Sequence, residues 1–83
     1  MNLFEYAESQ ASEVYGVNVV DIRAIIVGFR IVWKRRNTVE GYPRKRENRE
    51  FLKNHAEYLR SVKTKNSMAY ERALLLSLRE ACF

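Results

Sequence analysis

Apolar residues recur at helical spacing along most of the chain. Phe4, Ala7, Ala11 and Val14 fall three or four positions apart, which marks one face of a helix. The spacing predicts a first helix over 3–15. Asn2 stands at its N-cap with Glu5 at the capping-box position, and Gly16 follows the last apolar residue as a C′ glycine does. A second helix is predicted over 19–36. Asn18 and Asp21 repeat the capping-box spacing. Lys34, Arg35 and Arg36 occupy its last turn, where the helix dipole favours cations, and Asn37 suits a left-handed terminus.

A loop over 37–42 contains Gly41, and Pro43 suits the first position of a third helix over 43–62. In that helix Phe51, Leu52, Tyr58, Leu59 and Val62 gather on one side, and Arg46, Arg49, Lys53 and Arg60 on the other. The segment TKNS interrupts the pattern. Asn66 or Ser67 is the expected cap of a fourth helix over 68–81, made strongly apolar by Ala73, Leu74, Leu75, Leu76 and Leu78. The expectation is an all-α, compact four-helix domain spanning 1–83. Its stability margin is thin at this length, because one small core supports it.

The stretch IIVGFRIVWKRR, residues 25–36, admits three readings. A membrane span needs about 20 apolar residues, and Arg23 and Arg30 leave only Ala24–Phe29 uninterrupted. A strand suits the β-branched residues but not their order, since two-residue alternation fails across IIVGF. On a helical wheel Arg23, Arg30 and Lys34 collapse into a sector of roughly 40°. Ile22, Ile25, Phe29, Val32 and Trp33 fall on the other side. This predicts a nearly buried helix with one cationic stripe. So much apolar surface invites a second chain, so a homodimer through the second or fourth helix is an alternative to burial within one copy.

Charge sharpens the picture. The net charge is +5, but it is not evenly spread. Residues 1–29 carry Arg23 against Glu5, Glu8, Glu13 and Asp21. Residues 30–65 carry twelve Lys and Arg against Glu40, Glu47, Glu50 and Glu57. A contiguous positive stretch makes a field that attracts a polyanion. Arg30, Lys34, Arg35 and Arg36 close the second helix, and Arg44, Lys45, Arg46, Arg49 and Lys53 open the third. A tight 37–42 connection brings the two groups together. Trp33 and Tyr42 lie beside them and offer rings for stacking on bases, although core packing is the commoner fate of such a tryptophan.

Catalytic chemistry has little to stand on. His55 and Cys82 are the single histidine and the single cysteine, with no zinc spacing and no glycine-rich phosphate loop. No metal, no cofactor and no enzymatic activity are expected. His55 falls on the apolar side of the third helix and is expected to be packed. The acidic start MNLFEYAESQ lacks the basic n-region of a secretory signal, and a lone cysteine fits a reducing compartment. A cytoplasmic location is therefore expected.

The segment ASEVYGVNVVDIRAII, residues 11–26, resembles the helix-turn-helix of DNA-binding domains. Gly16 takes the place of the turn glycine, Tyr15 and Val17 flank it, and Ile22 and Ile25 take the buried positions of the second helix. The resemblance implies that this helix lies in the major groove and presents Asn18, Val19, Val20 and Arg23 to base edges.

Together these features predict a small basic nucleic-acid-binding regulatory protein, with DNA preferred to RNA. The cationic surface comprises Arg23, Arg30, Lys34, Arg35, Arg36, Arg44, Lys45, Arg46, Arg49 and Lys53. The alternative is a protein-interaction module or inhibitor that covers an acidic or nucleic-acid-binding surface of a larger protein. A membrane-surface partner is not expected, because Glu47, Glu50 and Glu57 dilute the basic face and the core needs the apolar one.

Overall fold

The computed structural model describes residues 3–38 and 45–80, and the side chains within them other than 36–38, 45, 47 and 80. Four helices follow in order: α1 Leu3–Tyr15, α2 Val19–Thr38, α3 Lys45–Val62 and α4 Lys65–Glu80. No strand occurs among the described residues. The expected all-α four-helix domain is what forms. The caps at Asn2 and Pro43, the loop tip with Gly41 and Tyr42, and Cys82 lie outside the described residues.

Local chemistry sets the boundaries. Gly16 takes φ +66°, and its N–H donates to the Ser12 carbonyl at 3.1 Å, so it closes α1 in the left-handed conformation open to glycine. Asn18 caps α2, its Oδ1 accepting from the Val20 N–H at 2.8 Å. Two boundaries differ from expectation. Asn37 does not turn left-handed, because α2 runs on to Thr38. Helix α4 starts a turn early and is capped by Thr64 rather than Asn66 or Ser67. The Thr64 Oγ1 accepts from the Ser67 N–H at 3.0 Å, and the Ser67 Oγ accepts from the Thr64 N–H at 2.9 Å. The reciprocal pair works as a capping box with serine in the glutamate role. Only Lys63 and Thr64 separate α3 from α4, and Lys63 sits at φ +56° to make so tight a turn.

Helix α4 touches all three other helices and so forms the centre of the bundle. Its Ala69, Tyr70, Ala73 and Leu74 bury against Phe4, Ala7 and Ala11 of α1, Ile22, Ile26 and Trp33 of α2, and Leu52, Ala56 and Leu59 of α3. Aromatic rings join α2 to α3 in an antiparallel pair. Phe29 meets His55 at 4.2 Å and Tyr58 at 5.1 Å, and Trp33 stacks on Phe51 at 6.2 Å. Trp33 is therefore a core residue.

Two expected faces are corrected. Val14 does not join the inward stripe of α1 and stands 65% exposed. Nor is α2 nearly buried. Ile22, Ile26 and Trp33 bury, but Val20, Val27, Ile31 and Val32 are exposed. The wheel assumed that charge seeks solvent. Glu8 of α1 is itself 1% exposed and holds two of the arginines. Arg23 Nε donates to Glu8 Oε2 at 3.0 Å. Arg30 Nη1 lies 3.3 Å from Glu8 Oε1, and its Nη2 lies 3.3 Å from Glu5 Oε1. Two of the three cations expected to face water, Arg23 and Arg30, thus reach toward α1 while Lys34 stays exposed, and Val20, Val27 and Ile31 lie outward beside them.

Candidate polyanion-docking surface

The structure sorts the expected cations into three groups. Arg23 and Arg30 are paired with acids of α1, and the Arg30 side chain is only 18% exposed. A phosphate could reach Arg30 only by displacing Glu5 and Glu8. Lys34, Arg35, Arg46, Arg49 and Lys53 are exposed. The side chains of Arg36, Arg44 and Lys45 fall outside the described residues.

The Trp33–Phe51 contact puts the end of α2 beside the start of α3, so the exposed cations of both helices share one end of the bundle. They do not share one face. Phe51, His55 and Tyr58 are the residues of α3 that meet α2. Arg46, Arg49 and Lys53 lie on its far side, within a sector of roughly 60° at 100° per residue. That sector borders α4. There Arg49 and Lys53 face Leu75, Leu78 and Arg79 across a groove of about 320 Å³. Leu75 and Leu78 form an apolar floor beneath a three-cation rim. Arg46 is 91% exposed and 3.6 Å from Glu50, a surface pair too weak to hold it away from a stronger anion. Arg60, two helical turns beyond Lys53, is committed to buried Glu71 through bonds of 2.7 and 2.8 Å.

Sequence reasoning missed Arg79, Leu75 and Leu78, because a leucine-rich helix reads as core throughout. It also missed Glu8, although Glu8 falls on the same wheel face as Phe4 and Ala11, where an acid must find a partner. The Tyr70 hydroxyl lies in the same field. Burial first, then the Glu8 carboxylate, push its pKa far above the ordinary tyrosine value, with Arg30 opposing. His55 is fully buried between Phe4, Phe29 and Tyr70, with neither ring nitrogen hydrogen-bonded. Burial lowers its pKa to about 4, which keeps it neutral at physiological pH and away from any surface anion. Asn18 and Val20, from the segment that resembles a helix-turn-helix, are exposed, while Arg23 of that segment is held by Glu8.

Among the described residues, no group of three His, Cys, Asp or Glu is placed to hold a metal ion, and no helix is long and apolar enough to cross a membrane. The class defined by the fold is a small, basic four-helix bundle with a cation-rimmed groove between α3 and α4. The chain matches no family model, no curated protein and no solved structure.

Proposed function

We propose that this chain is a small cytoplasmic nucleic-acid-binding protein with a regulatory role, DNA being the preferred target. It docks on the phosphate backbone through the outer face of α3, extended by Arg79 of α4. The observation that carries this reading is the alignment of Arg46, Arg49 and Lys53 on one exposed sector, with Arg79 across the groove. Arginine engages a phosphate through two hydrogen bonds, and a dense cation face gains by releasing condensed counterions. Lys34 and Arg35, at the same end of the bundle, extend the field. A gel-shift titration tests the placement. Reversing Lys53 and Arg79 together to Glu, both at the surface, lowers affinity for duplex DNA by about tenfold or more. Reversing Lys65, about 20 Å from Arg79 along α4, leaves it within about threefold. Equal losses from both variants refute the placement.

A second reading has its own support. The apolar floor of Leu75 and Leu78 is more than a phosphate backbone needs, and it suits an acidic segment of a larger protein whose apolar side chains enter the groove. The chain would then act as an interaction module or inhibitor. A stoichiometric protein partner that survives nuclease treatment and is lost on Leu78→Glu favours this reading. Retention of nucleic acid with no such partner favours the first.

A further inference from the structure

We infer that the groove between α3 and α4 receives an unpaired thymine of a DNA strand, an inference that rests on the docking reading above and narrows its target. A phosphate backbone engages the cations of the rim and leaves the floor of Leu75 and Leu78 unused. Both leucines are half-buried, so the floor is open to an entering group. The volume of about 320 Å³ lies at the lower end of the roughly 300–1,000 Å³ typical of sites for small organic groups. A single base swung out of its stack is of that scale, and enzymes that act on bases hold a flipped base against apolar side chains in the same way.

The hydrogen-bonding chemistry of the lining selects the base. Among the described residues, the groove is lined by Arg49, Lys53, Leu75, Leu78 and Arg79. Leucine neither donates nor accepts, and arginine and lysine donate only. No side chain of that set accepts a hydrogen bond. A base that fits must therefore turn acceptors and apolar surface inward, with no amine among them. Cytosine and adenine carry an exocyclic amine on the edge that would enter, and that amine would meet cations. Guanine offers acceptors there but no methyl to the floor. Thymine offers the O4 acceptor and the C5-methyl side by side. With these two inward, its one N–H stays at the mouth of the groove, in water. The methyl also separates thymine from uracil, so the same contact favours DNA over RNA.

Charge completes the fit. Lys53 and Arg79 are both exposed and stand on opposite walls, one on α3 and one on α4. One is placed to donate to O4 while the other holds a flanking phosphate, through charge-assisted bonds. Arg49 has a contact of its own within the chain and borders the site without being needed for it.

Fluorescence anisotropy with labelled single strands of about 12 nucleotides, at about 50 mM salt, tests this on the full chain. The strands are oligothymidylate, its deoxyuridine and deoxycytidine counterparts, and an abasic strand of the same charge. All the changes are in the DNA, so a lost preference is not a lost fold. Oligothymidylate binds tightest. The abasic strand binds about fivefold more weakly or worse, the deoxycytidine strand about fivefold or worse, and the deoxyuridine strand about two- to fourfold. Reversing Lys53 and Arg79 to Glu, both at the surface, brings the thymidine-to-abasic ratio below about twofold, whereas Lys65→Glu leaves it unchanged. Equal affinity for all four strands overturns the inference and leaves the floor to a protein segment. A deoxycytidine strand as tight as oligothymidylate, or a preference that survives the double reversal, overturns it as well. Binding of duplex DNA without binding of any single strand overturns this inference alone. Binding of neither overturns the docking reading too.

Discussion

His55 couples the stability of this bundle to pH. Its ring is fully buried against Phe4, Phe29 and Tyr70, and neither nitrogen has a hydrogen-bond partner. Its folded pKa is about 4 against an ordinary 6.5. Because burial lowers the folded value, the unfolded chain takes up the proton first. Stability is unaffected by this group above pH 6.5, is lost as pH falls from 6.5 towards 4, and is lost no further below that. The slope approaches 1.4 kcal/mol per pH unit, which amounts to about 2.5 kcal/mol between pH 7.5 and pH 4.5. That is a large share of the stability of a small domain. Carboxylates titrate over part of the same range, so the measurement is a difference. Urea unfolding of the native chain and of His55→Leu at pH 7.5, 6.5, 5.5 and 4.5 gives ΔG for each. The native chain loses about 2.5 kcal/mol more than the variant over this range. A pH-independent difference between the two would refute the burial of an unpartnered neutral imidazole.

Other elements give further expectations. Glu8→Gln leaves Arg30 with Glu5 alone and Arg30→Gln leaves Glu8 with Arg23 alone, so each costs about 1.5–3 kcal/mol, whereas the double variant costs less than their sum. Additive losses in urea melts contradict a direct pair. Thr64→Ala removes the α4 cap and lowers stability by about 1 kcal/mol, while Asn66→Ala, at the position the sequence favoured, changes it by less than about 0.5 kcal/mol. Lys63→Gly relieves a left-handed backbone and raises stability by about 0.5–1 kcal/mol, seen as a higher thermal midpoint. No gain would mean that Lys63 makes compensating contacts.

The helices were legible because their signals are local. Gly16 needs a left-handed conformation and Asn18 offers a side-chain oxygen to the first turn of α2, and both act where the sequence places them. The rotation of α2 was not legible. It depends on Glu8 reaching Arg23 and Arg30, fifteen and twenty-two residues away, and a wheel drawn for one helix cannot contain an acid on another. The α4 start was misplaced because Thr64 and Ser67 cap reciprocally, a pairing that TKNS shows only once the helix is known to begin at Lys65. Of the basic surface, Arg46, Arg49 and Lys53 read correctly as an exposed stripe of α3. Their alignment with Arg79 depends on how α3 and α4 pack.

Docking of the proposed cationic face of α3 and α4 on a phosphate backbone is tested most directly by fluorescence anisotropy of a labelled duplex, titrated with the chain from about 50 to about 200 mM salt. Four phosphate contacts, from Arg46, Arg49, Lys53 and Arg79, predict a slope of log K against log salt of about −3.6. With Lys53 and Arg79 both changed to Glu, the slope falls to about half that or less. A flat salt response, or the same slope in both proteins, contradicts the account.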